Sequence, residues 1–72
     1  MNVFGARIRQ VRLAKGLTQK DVAYGVGLDP NYIGLIERGQ RNPSFTSILK
    51  IAKSLGVTVA ELIDDETFSM FK

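Results

Sequence analysis

The chain has 72 residues, with no cysteine or histidine, and a formal net charge of +3. This length fits one small domain, which buries only about 60% of the surface of its unfolded chain. The missing residue types argue against disulfides, thiolate metal sites and histidine-based catalysis, and neither a membrane-spanning run nor a signal-peptide pattern is present. We therefore expect a cytoplasmic protein that is not an enzyme, with no cofactor, small-molecule ligand or membrane partner.

The charge is unevenly distributed along the chain. Residues 1–53 carry nine Lys and Arg against Asp21, Asp29 and Glu37, a net +6, whereas residues 54–72 have a net charge of −3. A basic body and an acidic end predict different partners for different faces. The acidic run at residues 64–66 is interpreted as a solvated helix end, so no metal site is expected.

The first predicted helix covers residues 3–15. Phe4, Ile8 and Val11 recur at helical spacing and form an inward stripe, and Gly16 is placed to end the helix. Its basic residues, Arg7 among them, either form a solvated face or contact phosphates of a bound ligand.

Two short helices joined by a glycine turn are predicted at residues 19–25 and 30–38. Thr18 and Asp29 are suited to cap them, because their side-chain oxygens can accept hydrogen bonds from free amides of the first turn. The connection is so short that the helices must cross steeply, with a positive φ at Gly27. The shared apolar face consists of Val22, Ala23, Val26, Leu28, Ile33 and Ile36. This pattern is typical of a helix-turn-helix, whose second helix, roughly 13 Å long, fits the major groove of DNA.

Two further helices complete the predicted fold. Ser44 can cap a helix from Phe45 to about Leu55, and a capping box at residues 58–61 begins a brief fifth helix. The inward stripe predicted for the fourth helix is Phe45, Ile48, Leu49, Ala52 and Leu55.

Several sequence blocks occur in a fixed order along residues 4–63. They are LTQxxxAxxxGL from Leu17, YIxxIERG from Tyr32, RNPS from Arg41, IAKSLGV from Ile51 and ELI from Glu61. Together they resemble the Cro/phage-repressor (XRE) helix-turn-helix family, in which short stand-alone regulators such as restriction-modification controller proteins are nearest in size. The resemblance implies an all-α, compact five-helix, lambda-repressor-like DNA-binding domain. We assign residues 1–63 to this helix-turn-helix domain and residues 64–72 to a tail that is a candidate dimerisation extension.

The resemblance also implies roles for three polar residues. An arginine at the position of Arg12 pairs with the glutamate at Glu37 and tethers the first helix to the recognition helix. A glutamine at the position of Gln19 contacts a DNA phosphate and braces a residue at the start of the recognition helix.

Other candidate DNA contacts follow from side-chain chemistry. Asn31 is the best base reader, because its amide can pair with adenine N6 and N7, whereas Asp29 either accepts from cytosine or only caps its helix. Tyr32 either donates to a phosphate or packs at the edge, and Gly34 permits close approach to DNA. Pro30, Gly34 and Leu35 offer no side-chain hydrogen bond to bases, which favours specificity through DNA shape or through the arginines of the first helix and the loop. The full set is Arg7, Thr18, Gln19, Asp29, Pro30, Asn31, Tyr32, Gly34, Leu35, Arg38, Arg41 and Asn42.

The C-terminal region carries more apolar residues than a small domain needs to close its core. The candidate dimer interface consists of Val59, Leu62, Ile63, Phe68 and Phe71. The alternative is that Phe68 and Phe71 fold back on their own chain or are disordered. We expect a sequence-specific transcriptional regulator that binds double-stranded DNA at a two-fold operator as a homodimer. The alternative is a protein-interaction module, adaptor or antitoxin-like, that keeps the fold and uses Pro30, Gly34 and Leu35 as its contact surface.

Overall fold

The structure, a computed structural model, describes residues 3–63, and these residues form five α-helices without a strand. The helices are α1 (Val3–Ala14), α2 (Gln19–Tyr24), α3 (Pro30–Glu37), α4 (Phe45–Leu55) and α5 (Val59–Leu62). The all-α, five-helix prediction is confirmed, and the predicted ends of the first three helices are each one residue too long. Within this part of the chain, no helix is long and apolar enough to cross a membrane.

Side-chain caps fix where the later helices begin. Thr18 Oγ1 accepts from the Asp21 N–H at 3.0 Å, and Asp21 Oδ2 accepts from the Thr18 N–H at 2.8 Å. Thr58 and Glu61 form the same reciprocal pair at the start of α5, as predicted. For the first of these two boxes the sequence predicted the cap by Thr18 and not the return bond to Asp21.

The capping hydrogen bonds also affect the ionisation of Asp21. The bond from the Thr18 backbone N–H lowers the pKa of the Asp21 carboxyl below its ordinary value. A folded-state pKa below the unfolded one stabilises the fold at pH values above the ordinary pKa of aspartate. This contribution is lost as the pH falls through the lowered pKa.

A single core joins the helices, and the helix-turn-helix lies at its centre. Its fully enclosed members are Ile8, Val22, Ala23, Ile33, Ile36, Ile51 and Leu62, with Ala52 and Leu55 nearly so. Ala23 of the predicted apolar face is fully buried, and Gly27 has a φ of +72°, both as predicted. Val26 was assigned to the same apolar face, but it is only half-buried.

The face that α4 turns inward differs from the predicted one. Phe45 and Leu49 were assigned to the inward stripe, yet their exposed fractions are 70% and 45%. Ala52 and Leu55 of the predicted stripe are buried, as expected. They are joined by Ser47 and Ile51, which were not predicted, so that Ser47, Ile51 and Leu55 form a row four positions apart. A serine within the buried stripe hid this period, because a pattern of apolar residues alone passes over it.

Gly5 allows α1 to lie directly against the recognition helix α3. A methyl group at this position would overlap with the carbonyl oxygen of Ile36, near the end of α3. Glycine therefore brings the two helices closer than any other residue would allow.

Candidate nucleic-acid interface

A buried ion pair joins α1 to the end of α3. Arg12 Nε lies 2.7 Å from Glu37 Oε2 and Arg12 Nη2 lies 3.0 Å from Oε1, so the guanidinium makes a bidentate contact with the carboxylate. Arg12 Nη1 also donates to the carbonyl oxygen of Leu17, just before α2. The hydrogen bonds with Glu37 raise the pKa of Arg12 above its ordinary value, which keeps the guanidinium charged. The pairing implied by the family resemblance is present in the structure.

Gln19 is attached to the same carboxylate. Its Nε2 donates to Glu37 Oε1 at 3.3 Å, so the first residue of α2 is linked to the last residue of α3. The side chain therefore braces the end of the recognition helix, whereas the expectation placed this contact at its start. A side-chain amide nitrogen carries two hydrogens, and the second can still be donated to a phosphate.

Gly34 does not lie on an open surface. It is buried, and a methyl group there would lie 3.0 Å from Arg38 Nη1 and 3.3 Å from Gln19 Oε1. The prediction that Gly34 is exposed for direct approach to DNA is therefore wrong, because these two side chains cover it. Pro30 and Leu35 are half-buried, so the uncharged contact surface of the protein-interaction alternative is smaller than expected.

An open groove runs between the C-terminus of α1 and the N-termini of α2 and α3. It brings together three of the predicted contacts, Thr18, Gln19 and Asn31. The exposed side chain of Lys20 lies beside them and was absent from the predicted set. Its position next to Gln19 in the first turn of α2 was the available signal. The complete lining is Arg12, Leu13, Gly16, Leu17, Thr18, Gln19, Lys20, Pro30 and Asn31.

Asp29 and Asn31 have different roles at the start of α3. Asp29 Oδ1 accepts from the Asn31 backbone N–H at 2.9 Å, which is the capping interaction predicted as one of its two alternatives. The side chain of Asn31 is exposed in the groove. The side chain of Asn31 is thus open to a ligand in the groove, while one Asp29 oxygen is used within the protein.

Tyr32 packs against the start of α4. Its hydroxyl donates to Ser47 Oγ at 3.1 Å and accepts from the Ser44 N–H at 3.3 Å. Ser44 Oγ in turn accepts from the Ser47 N–H and caps α4. Since a phenol has a single hydrogen to donate, the structure favours the packing alternative for Tyr32 over donation to a phosphate.

Cationic side chains extend from the recognition helix into the loop that follows it. The guanidinium of Arg41 lies 5.8 Å from the centre of the Tyr32 ring, a cation–π contact. Arg38 Nε donates to Gln40 Oε1 at 3.1 Å. Arg38, Arg41 and Asn42 are all exposed, so this loop presents two positive charges to the solvent.

Arg7 lies in a different environment. Its Nε donates to the carbonyl oxygen of Glu61 at 3.2 Å and its Nη1 to Gln10 Oε1 at 2.9 Å. These bonds hold the guanidinium at the contact between α1 and α5, separate from the groove residues. A phosphate contact by Arg7 stays a prediction without support from this arrangement.

The candidate dimer interface is only partly exposed. Leu62 is fully buried in the core of its own chain, so its assignment to a dimer surface is wrong. Val59 and Ile63 are half-buried. Phe68 and Phe71, like the acidic run at residues 64–66, lie outside the described residues.

Comparison with known proteins identifies relatives along nearly the whole described region. The family model described as Helix-turn-helix matches residues 8–62. Control protein C.BamHI of Bacillus amyloliquefaciens is 44% identical over 66 residues, which are 90% of this chain and 82% of that protein.

Two solved structures of restriction-modification controller proteins are also similar. C.AhdI from Aeromonas hydrophila has a TM-score of 0.81 and 49% identity, and the match covers 85% of this chain and 92% of that one. C.Esp1396I, solved as a tetramer in complex with its natural 35 base-pair operator, has a TM-score of 0.75 and 39% identity over 96% of this chain and 84% of its own.

The buried ion pair yields the first testable prediction. Arg12→Ala leaves the Glu37 carboxylate buried without its main partner, and we expect it to lower the free energy of unfolding by about 3–5 kcal/mol. Replacement of Glu37 by Gln and of both residues together completes a double-mutant cycle, measured by urea denaturation. A loss below about 1 kcal/mol in Arg12→Ala would mean that the pair behaves as an exposed one and does not tether α1 to α3.

Proposed function

We propose, since the chain belongs to the XRE-type helix-turn-helix family, that it is a DNA-binding transcriptional regulator acting as a homodimer on an operator with two-fold symmetry. The observation that carries this proposal is the groove at the start of α3, where the exposed Asn31 lies beside Gln19 and Lys20. As a regulator of bacterial or phage type it would act in the cytoplasm, where the DNA lies.

The charges around α3 support DNA as the ligand. Lys20 lies in the groove at the start of α3, and Arg38 and Arg41 follow its last residue, so exposed cations lie near both ends of the recognition helix. When such a helix occupies the major groove, cations at its edges are placed to neutralise phosphates of the two strands. The alternative, a protein-interaction module, lacks this need for flanking positive charge.

Two arguments support a two-fold complex. The recognition helix has Asn31 as its main exposed hydrogen-bonding side chain, so a second copy doubles a sparse set of base contacts. The similar controller protein C.Esp1396I was crystallised as a tetramer on its operator, which is an assembly of several copies on one DNA. We propose that a dimer places two α3 helices about 34 Å apart, one DNA turn, on an inverted repeat.

The salt dependence of binding tests the proposal directly. After selection of a preferred duplex from a random pool, Arg38→Ala and Arg41→Ala should each weaken binding to that duplex and to an unrelated one. Each should also reduce the magnitude of the log–log salt slope by about 0.9, because one phosphate contact is lost. Wild-type binding that is absent or independent of salt would contradict DNA binding and favour the protein-interaction alternative.

Arg7→Ala is the matched comparison in this series, since it removes the same charge at the contact between α1 and α5. A slope equal to that of the wild type would keep Arg7 off the DNA. A reduction equal to that of the other two variants would restore the phosphate contact predicted from the sequence.

Asn31→Ala tests base reading. We expect a loss of about 1–3 kcal/mol on the selected duplex and relaxed preference at one base position, because one bidentate amide contact disappears. Fluorescence anisotropy with single-base variants of the duplex measures both effects. Equal losses on all sequences would instead assign Asn31 to the DNA backbone.

Truncation after Asp65 tests the dimer contact. If the tail carries the interface, the shortened chain should be a folded monomer in sedimentation. It should bind a half-site like the full chain and lose most of its affinity for the full operator. A truncated chain that is still dimeric would move the interface to the exposed apolar residues of α4, and Leu49→Glu in the full chain would then dissociate the dimer.

A further inference from the structure

Two candidate DNA contacts from separate elements converge on one glycine. Gln19 begins α2 and Arg38 directly follows α3, yet the side chains of both lie over the backbone of Gly34. The methyl position of an alanine there would be 3.0 Å from Arg38 Nη1 and 3.3 Å from Gln19 Oε1, which is tighter than ordinary van der Waals contact, so a neighbour must move by a few tenths of an ångström. Glycine is thus the residue that lets both side chains occupy these positions together.

The two side chains differ in how they can respond to a larger residue. Arg38 is exposed, and its Nε is bonded to the loop residue Gln40, so its terminal nitrogens can turn away without loss of burial. Gln19 is half-buried and bonded to Glu37 within the Arg12 pair, so its amide has less freedom. A methyl group at Gly34 therefore meets the ends of the Gln19 and Arg38 side chains, both of them candidate DNA contacts, and displaces one or both of them.

We propose that Gly34 is a positioning residue for DNA binding, an inference that rests on the proposed function. It holds the Gln19 amide and the Arg38 guanidinium at the spacing with which they meet the phosphates beside the recognition helix. The absence of a side chain at this position is needed to place the Gln19 and Arg38 side chains. It is not needed for helix stability, since alanine favours a helix more than glycine does.

Gly34→Ala tests this, with Gly25→Ala as the matched control. Gly25 has a helical φ of −66° at the end of α2, and a methyl group there meets no atom within 4 Å. We expect Gly34→Ala to melt within about 4 °C of the wild type, because helix propensity offsets the displaced amide. Its affinity for the selected duplex should fall about tenfold or more, as expected when a hydrogen bond to a charged group is lost. Gly25→Ala should bind within about twofold of the wild type.

A measurement without DNA separates the two proposals. The side-chain amide resonances of Gln19 in nitrogen-15 spectra of the free protein should shift in Gly34→Ala and stay in place in Gly25→Ala. Unchanged resonances together with wild-type affinity in Gly34→Ala would overturn the positioning role alone. Failure of the wild type to bind DNA would overturn the proposed function and this inference with it.

If Gly34→Ala proves unstable, the cause of the lost stability can be tested in a second variant. The same substitution is then made in a Gln19→Ala chain, which has no amide to displace. Recovery of the lost stability in that background would assign the strain to the Gln19 contact, as proposed. A loss of equal size in both backgrounds would overturn the inference.

Discussion

The Glu37 carboxylate is the point on which the geometry of the site depends. It accepts two hydrogen bonds from Arg12 of α1 and one from Gln19 of α2, while its own backbone ends α3. A buried carboxylate is stable only when its oxygens are satisfied, so the three helices cannot shift relative to one another without exposing an uncompensated charge. The arrangement fixes the recognition helix by electrostatics at its end, whereas apolar packing of Ile33 and Ile36 fixes it along its length.

Most of the fold could be predicted because its signals are local. Thr18, Asp29, Ser44 and Thr58 each cap the helix that was expected, since a side-chain oxygen beside free amides acts within one turn. The errors concern contacts between distant parts of the chain. Part of the buried face of α4 was misassigned because the Oγ of the buried Ser47 accepts hydrogen bonds from Ser44 and from Tyr32, and the bond from Tyr32, fifteen residues earlier, depends on the tertiary fold.

The candidate site likewise combines features that local sequence predicts with contacts that only the tertiary fold reveals. The places of Asn31, Arg38 and Arg41 at the ends of α3 could be predicted from the helix-turn-helix pattern, and the role of Gln19 from the family resemblance. The sequence could not predict which of their atoms are hydrogen-bonded within the protein, because bonds such as that from Gln19 to Glu37 depend on the tertiary packing. The contacts that Arg7 and Leu62 make within the chain could not be predicted, for a related reason. The sequence does not show whether a basic or apolar side chain on a helix contacts its own chain or faces a partner.

The small number of base-reading side chains on α3 affects how the proposed regulator would respond to its own concentration. A recognition helix with one clear base-reading amide supplies little discrimination by itself, so on the proposed model most specificity comes from two copies held at a fixed spacing. If the free protein is partly monomeric, operator occupancy then rises more steeply than the first power of protein concentration, because dimer formation and DNA binding are linked by mass action. The buried Arg12–Glu37 pair would contribute to this linkage because it holds α3 rigidly within each subunit. The dimer contact alone would then set the orientation of one recognition helix relative to the other.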